Sequence, residues 1–399
     1  MRIAPLVLVP LLAAGLTAPA LAAGSPQVTK AATLPDIPLG AFQNAELPDS
    51  VSDDRGVLLG GIGSGLFPLG GNEYWTVTDR GPNGEIGDDR TFIVPEFTPT
   101  LVRVKVQDPS MKVLEAIPIT TPEGEPVTGL PNLPIAGDPP PKSADAVTFL
   151  DYNPNGLDTE GVVRTPDGHF WLVDEYGPSI VETDADGHVV TRHVPAGLED
   201  DYEAAGVDYP VTGSLPAILS TRRANRGFED IALLPDGTTI VVALQSSVVV
   251  SGERDRIITE LIEFDTTTGT VVHRYPYRFD AASTFATGTR GRDLKISALI
   301  PIDQTHVVVQ ERTDFECRFY LVELDKTDAL ITEDDKTLLV NLAGVAGVPN
   351  KVEGAALKNG STLIVISDND FGFVPRAYAD GEDVDYSGVK TVLAEVKIP

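Results

Sequence analysis

Acidic residues stand at both ends of paired apolar runs in this chain. The stretch DTEGVVRTPDGHFWLVDEYGPSI, residues 158–180, has acids before one run and after the next, with a tight turn between them. In an antiparallel hairpin, the start of one strand faces the end of its partner. Glu160 and Asp174 are symmetric about residue 167 in the turn. The spacing therefore predicts that they lie side by side at one end of a hairpin.

The same plan recurs along the chain. Each unit has an acidic or small residue, an apolar strand, a turn with Gly or Asp, and a second apolar strand. The units are TEGVVRTPDGHFWLVDE from Thr159, FEDIALLPDGTTIVVALQ from Phe228, VEGAALKNGSTLIVISDND from Val352 and, less perfectly, GSGLFPLGGNEYWTVTDRG from Gly63 and ISALIPIDQTHVVVQER from Ile296. Their second strands end in polar residues, which are Asp79, Asp174, Gln245, Gln310 and Asp368. Self-similarity of this kind indicates a repeat architecture.

The repeat predicts an all-β fold of the β-propeller type. Several units are followed by another hairpin, and two hairpins make one four-stranded antiparallel blade. Units that start at 64 and 160 are 96 residues apart, which leaves room for another blade or a long insertion. We therefore favour six blades, with five or seven as alternatives and an irregular pair of β-sandwiches as the competing fold. The C-terminal KTVLAEVKI is expected to complete a blade with N-terminal strands, which removes exposed sheet edges.

The predicted organisation has three parts. Residues 1–23 have a basic start, an apolar run and an A-x-A end, the pattern of a secretory signal peptide. A membrane anchor is disfavoured because the run is short and interrupted by Pro. Residues 24–50 form a partly extended segment, and 51–399 form one propeller domain with a Pro-rich insertion at 121–143. We expect a periplasmic or secreted monomer without membrane insertion.

Composition narrows the possible partners. The chain has 30 basic and 59 acidic residues, a formal charge of -29, which argues against binding to nucleic acid. The single Cys317 cannot form an internal disulfide, and such a thiol is more often a buried small side chain than a nucleophile.

A propeller brings equivalent repeat positions together, because the first strand of each blade lines the central channel. The prediction is a ring of carboxylates at one channel mouth, formed by Glu160, Glu229, Glu353, Asp174, Asp368 and Asp79. Oxygen ligands suit Ca²⁺, with Mg²⁺ or Mn²⁺ as alternatives. The competing interpretation is that these carboxylates accept backbone hydrogen bonds at strand ends.

Three arginines follow the same register near the predicted mouth, namely Arg80, Arg226 and Arg312. Guanidinium groups bind phosphate or carboxylate through two parallel hydrogen bonds. Together they predict a small anionic substrate beside a metal, although each alone suits an ion pair with a neighbouring acid. Tyr176 is a candidate for orienting a ligand or for packing.

The motifs SGLFPLGGNEYWTVTDRGPN, DTEGVVRTPDGHFWLVDEYGPSIVETDADGHVV, NRGFEDIALLPDGTTIVVALQ and KVEGAALKNGSTLIVISDND resemble the phytase-like family described as "esterase-like activity of phytase". The resemblance covers about Gly56 to Pro399, with Glu229-Asp230 in place of Glu-Gly in the third unit. It implies an exported bacterial phosphoric-ester hydrolase, and the better-understood propeller phytases hold several Ca²⁺ ions in an acidic channel mouth.

These observations lead to one favoured function and two alternatives. In the favoured one, Ca²⁺ held by the ring activates water against a phosphate ester, and Glu160, Glu229, Glu353 or Asp174 supplies the general base. The alternatives are a lactonase-like hydrolase of carboxylic esters and a non-enzymatic, calcium-stabilised binding propeller.

Overall fold

The computed structural model describes residues 24–135 and 137–399. The predicted signal peptide lies outside the described residues. The first half contains β1 (Gln27–Thr33), α1 (Leu39–Glu46), β2 (Ser64–Gly70), β3 (Glu73–Val77), β4 (Asn83–Ile86), β5 (Asp89–Phe92), β6 (Thr100–Gln107), β7 (Ser110–Pro118), β8 (Pro141–Ser143), β9 (Thr159–Arg164), β10 (Phe170–Asp174), β11 (Ser179–Thr183), β12 (Val189–Pro195), α2 (Glu199–Ala205) and β13 (Val211–Leu215). The second half is entirely β apart from single turns of helix: β14 (Phe228–Leu233), β15 (Thr239–Leu244), β16 (Ile258–Asp265), β17 (Thr270–Arg278), β18 (Leu299–Pro301), β19 (His306–Arg312), β20 (Cys317–Glu323), β21 (Lys336–Asn341), β22 (Val352–Asn359), β23 (Thr362–Ser367) and β24 (Val392–Lys397).

The strands form a β-propeller, as predicted. Strand order defines five blades, which are β2-β3-β6-β7, β9-β10-β11-β12 with β13 added at its edge, β14-β15-β16-β17, β18-β19-β20-β21 and β22-β23-β24-β1. The inner strands β2, β9, β14, β18 and β22 contact one another in a closed ring. The described strands thus match the five-bladed alternative rather than the favoured six blades.

The long gap between the first two units explains this difference. It holds the two outer strands of the first blade and the Pro-rich segment rather than an extra blade. It also supplies β4, β5 and β8, which pair in a separate three-stranded sheet.

The last blade closes the ring as the sequence predicts. Its outer strand β1 pairs antiparallel with β24, with Ala31 opposite Ala394. On its other side β24 pairs with β23. A single bridge between Thr33 and Ser110 then joins this blade to the first one.

The core lies between blades. Apolar side chains from adjacent blades form five interface clusters, such as Trp75 with Phe170 between the first and second blades and Trp171 with Phe264 between the second and third. Both faces of a blade are therefore buried, which explains the continuous apolar runs of the second strands, such as FWLV and TIVVAL. Cys317 lies in the interface between the fourth and fifth blades, and burial raises its pKa to about 12.

Candidate active site at the channel mouth

Each predicted ring glutamate occupies a β-bulge on an inner strand. In the second blade Thr159 pairs with Asp174 and Gly161 with Val173, so Glu160 is the extra residue. The same two-to-one pairing leaves out Glu229 between Phe228 and Asp230, and Glu353 between Val352 and Gly354. A bulge interrupts the strand pairing and redirects the side chain of its extra residue. The repeated bulge aims these glutamates at the axis.

The bulged glutamates meet serines from the other two blades. Ser64 and Ser297 stand at the equivalent repeat position. The Ser64 hydroxyl donates to Glu160 Oε2 at 2.9 Å, and the Ser297 hydroxyl donates to Glu229 Oε1 at 2.8 Å. The five inner strands therefore contribute a ring of two serines and three glutamates.

Arg312 links two of the glutamates. Its Nη2 lies 2.5 Å from Glu353 Oε1 and 3.4 Å from Glu229 Oε1, and its Nε donates to the Ser297 hydroxyl at 2.7 Å. Burial raises the pKa of Glu229 and Glu353, and Arg312 opposes that rise in both. Glu160 receives only the Ser64 hydroxyl and forms no salt bridge among the described residues. Burial, together with the charge of Asp158, raises the pKa of Glu160 well above its ordinary value.

Asp174 does not join this ring. Its carboxylate is fully buried and accepts hydrogen bonds from Asp158 N at 2.9 Å, the Ser179 hydroxyl at 3.0 Å and Asn132 Nδ2 at 3.2 Å. The bulge shifts the register by one residue, so Glu175 rather than Asp174 faces the cavity. At the ends of the second strands, the cavity is faced by Asp79 and Arg80 of the first blade and by Glu175, Gln245, Arg312 and Asp368 of the others.

A cavity of about 880 Å³ opens over the ring. Its acids are Asp79, Glu85, Glu160, Glu175, Glu229, Asp314, Glu353, Asp368 and Asp370. Its basic side chains are Arg80, Arg90, Arg226, Lys295, Arg312, Lys351 and Lys390. The mouth is thus nearly charge-balanced, in contrast to the strongly acidic chain.

A first group of three carboxylates lies on the second blade. Oxygens of Asp158, Glu160 and Glu175 all lie within 4.8 Å of one another. Arg80 Nη2 lies 2.6 Å from Asp158 and 2.8 Å from Glu175. Burial raises the pKa of Asp158 to about 8 despite Arg80. Burial acts in the same direction on Glu175, but Arg80 and Arg226 outweigh it and hold its pKa below the ordinary value.

A second group joins the first and last blades. Oxygens of Asp79, Asp368 and Asp370 lie within 4.8 Å of one another, and Lys351 Nζ lies 2.5 Å from both Asp368 and Asp370. Burial raises the pKa of Asp79 well above its ordinary value, and Asp368 adds to this. Burial also raises the pKa of Asp368 to about 7, against the charge of Lys351.

Both groups have the composition of a divalent-cation site. Each sets three carboxylates around one basic side chain, which leaves two negative charges when all four groups are ionised. The donors are oxygens only, the set preferred by Ca²⁺. The buried Glu160 has no basic partner among the described residues, so a bound cation would supply the missing neutralisation.

The predicted arginines have different surroundings. Arg80 is held by Asp158, Glu175 and the Asn225 side chain, and its guanidinium lies 5.2 Å from the centre of the Tyr176 ring. Tyr176 is buried and donates its hydroxyl hydrogen to Gly129 O at 2.6 Å. Tyr176 therefore packs under Arg80 instead of reaching the cavity. Arg226 is half-buried, lines the cavity and donates to Gln245 Oε1.

Three residues of the site that the sequence analysis missed share a repeat position. Asp158, Lys295 and Lys351 each stand two residues before the ring residue of their blade. Asp158 belongs to the first carboxylate group, Lys351 binds Asp368 and Asp370 of the second, and Lys295 lies beside Arg312 and Arg226. Alignment of this position across the units was the available signal.

The family model described as phytase-like, "esterase-like activity of phytase", matches residues 57–371. The chain belongs to this family. A curated relative, an uncharacterized secreted protein of Arthroderma benhamiae, is 28% identical over 274 residues, which cover 57% of this chain and 54% of that protein. The match thus spans about half the length of that relative.

Solved structures that resemble this chain are more distant. A PQQ-bound aldose sugar dehydrogenase of Streptomyces coelicolor is 12% identical with a TM-score of 0.38, covering 86% of this chain and 96% of that one. A protein of Dyadobacter fermentans is 8% identical with a TM-score of 0.38, covering 94% of this chain and 100% of that one. At these values the likeness carries no argument about function. Among the described residues, no helix combines the length and the apolar character needed to cross a membrane.

Proposed function

We propose that this phytase-like protein is an exported, Ca²⁺-dependent hydrolase of phosphate esters. The observation that carries the proposal is the arrangement at one cavity, where two groups of three carboxylates lie beside a lining that includes Arg226, Lys295 and Arg312. Membership of a family named for an esterase-like activity supports the hydrolase class. The sequence pattern of residues 1–23 and the secreted relative support export.

The two carboxylate groups are the proposed cation sites. Asp158 and Glu175 would hold one ion, with the carboxylate of Glu160 beside it left for proton transfer, and Asp79, Asp368 and Asp370 would hold another. A bound Ca²⁺ would supply polarisation of the phosphoryl oxygen and a lower pKa for an attacking water. Asp174, buried under its own hydrogen bonds, accepts from Asp158 N before β9 and from Tyr176 N after β10, and so supports the two segments that carry Asp158 and Glu175.

Glu160 is the proposed general base. It lines the cavity, and burial together with the charge of Asp158 raises its pKa well above the ordinary value, which makes the carboxylate a stronger base. Glu229 and Glu353 are less suited, since both interact with Arg312. Arg226, Arg312 and Lys295 face the same space and would bind the anionic substrate.

The test is a substrate panel with and without metal. p-Nitrophenyl phosphate, phytate and a set of lactones are assayed after chelation and after addition of Ca²⁺, Mg²⁺ or Mn²⁺. We expect turnover of phosphate esters that is lost on chelation, restored best by Ca²⁺, and reduced about 100-fold or more in Glu160→Gln. Glu395→Gln, which alters a buried glutamate paired with Lys358 outside the cavity, is the matched control.

Three results would contradict the proposal in different ways. Phosphatase activity that survives full chelation would show that the reaction does not require a bound metal ion. Turnover of lactones alone would favour the carboxylic-ester alternative. If chelation lowers the melting temperature but no ester is hydrolysed, the protein is a calcium-stabilised binding propeller.

A further inference from the structure

The turn between β19 and β20 places a carboxylate among the cavity cations. Asp314 Oδ1 lies 3.0 Å from Lys295 Nζ and 3.9 Å from Arg312 Nη1. Arg226 is the third cation whose charge acts on this carboxylate. Burial alone would raise the pKa of Asp314, but Lys295, Arg312 and Arg226 together hold it below the ordinary value. An anion at this point is therefore favoured by three basic side chains.

One of these cations has unused hydrogen-bonding capacity. The Arg312 side chain is only 2% exposed, and its Nη1 has no hydrogen-bond partner among the described residues. The other nitrogens of Arg312 are taken by Ser297, Glu353 and Glu229. A buried donor without a partner is costly, so an oxygen placed near Nη1 would be stabilised. At 3.9 Å the Asp314 oxygen is too far away to be that partner.

The position of Asp314 makes it displaceable. Its side chain is 68% exposed, whereas that of Lys295 is 15% exposed. The turn is held by its own bonds, from Thr313 N to Glu316 O at 2.9 Å and from the backbone of Phe315 to the Thr313 hydroxyl at 3.2 Å. The Asp314 side chain can therefore rotate away from Lys295 without a change in β19 or β20.

We propose that Arg226, Lys295 and Arg312 form the subsite for the phosphoryl group of the substrate, and that Asp314 fills this subsite in the free protein and competes with the ligand. The inference rests on the proposed function for the identity of the ligand as a phosphate ester. A tetrahedral dianion offers more charge and more acceptor oxygens than one carboxylate, so it can reach Arg312 Nη1 and Lys295 together. Arg80 lies outside the subsite because Asp158 and Glu175 already hold its guanidinium.

The experiment measures binding of inorganic phosphate by calorimetry in the presence of chelator, so that no metal contributes. Asp314→Asn is expected to bind phosphate about tenfold more tightly than the unmodified chain, and Lys295→Gln about tenfold more weakly. Asp255→Asn removes an exposed carboxylate that lies 2.9 Å from Arg292 and does not line the cavity, so it is expected to leave binding unchanged. Sulfate and acetate are titrated in parallel. The affinity for sulfate should change with the substitutions in the same way as that for phosphate, and acetate should bind much more weakly.

Each failure has its own meaning. If Asp314→Asn and Lys295→Gln both bind phosphate like the unmodified chain while phosphate esters are hydrolysed, the subsite is wrong and the hydrolase stands. If phosphate binding follows both substitutions but no ester is turned over, the hydrolase is wrong and the anion site stands. If acetate binds as tightly as phosphate, the assigned ligand class is overturned. Thermal melting of each variant checks that the fold is retained.

Discussion

Ser64 donates a hydrogen bond to Glu160 across the boundary between the first two blades, from the same repeat position 96 residues earlier. A donor to a carboxylate favours its charged form and lowers its pKa. Ser64 is thus the only side-chain hydrogen-bond donor to Glu160 among the described residues.

The first prediction concerns Ser64→Ala. This hydrogen bond stabilises the charged form of Glu160 by about 1 kcal/mol, so its loss should raise the pKa of Glu160 by roughly 0.7 unit. If Glu160 acts as a base, the acidic limb of the pH profile for kcat/KM moves to higher pH by that amount. Ser220→Ala, at an exposed helical turn outside the cavity, is the control. An unchanged acidic limb in Ser64→Ala would argue against Glu160 as the base.

The second prediction is a loss of stability with rising pH when metal is absent. Asp158 and Asp368 have pKa values raised by burial to about 8 and about 7. At a pH between the ordinary pKa of an aspartate and these raised values, the folded state binds more protons than the unfolded state. The resulting stability is present at low pH and is lost as the pH rises through the raised pKa values. Urea unfolding in chelator should show a free energy of unfolding that falls by several kcal/mol between about pH 5 and 8, at about 1.4 kcal/mol per pH unit for each carboxylate below its folded pKa. Added Ca²⁺ should reduce this slope.

Two variants separate the cause of that slope. Asp158→Asn should reduce it, because one of the two buried titrating carboxylates is gone while Asp368 remains. Asp303→Asn acts on an exposed carboxylate whose pKa is lowered to about 2, mainly by a backbone hydrogen bond from Thr305. The Asp303 carboxylate contributes to the free energy of unfolding above about pH 4 and loses this contribution only at lower pH. Its substitution should therefore not change the slope above pH 5. An equal slope in Asp158→Asn and in the unmodified chain would contradict the prediction.

The third prediction concerns Arg312→Met. Arg312 is buried between Glu229 and Glu353, so its removal leaves two buried carboxylates without their basic partner. Breaking such a group costs about 3–5 kcal/mol in the free energy of unfolding. Arg103→Met removes a half-exposed guanidinium that contacts Glu73 and Glu115, and should cost less than about 1 kcal/mol. Similar losses in the two variants, measured by urea unfolding, would show that the interaction of Arg312 with Glu229 and Glu353 does not stabilise the fold.

Much of the fold follows from the sequence, since each blade begins with the same strand–turn–strand unit. The units also predict that Glu160, Glu229 and Glu353 are equivalent. The blade number does not follow, because spacing alone cannot distinguish an inserted blade from the separate sheet formed by β4, β5 and β8.

The site was harder to predict than the fold. Simple hairpin symmetry pairs Glu160 with Asp174, but the bulge adds one residue to the inner strand and exchanges Asp174 for Glu175 at the cavity. Single-sequence patterns do not reveal a bulge, because the apolar runs on either side look the same with or without it. Lys295 and Lys351 were not predicted, because acids and arginines but no lysines were compared across the units, although both lie two residues before the ring position.

The pairing of β1 with β24 has a kinetic consequence. Thr29 and Glu395 are in contact although they are 366 residues apart in the chain. Contacts between such distant segments form slowly, because the entropy of closing the loop must be overcome first. Ring closure, which completes the fifth blade, is therefore expected late in folding, after the other four blades have formed. Until then β24 presents an unpaired edge, and the period before closure is when the chain is most exposed to aggregation.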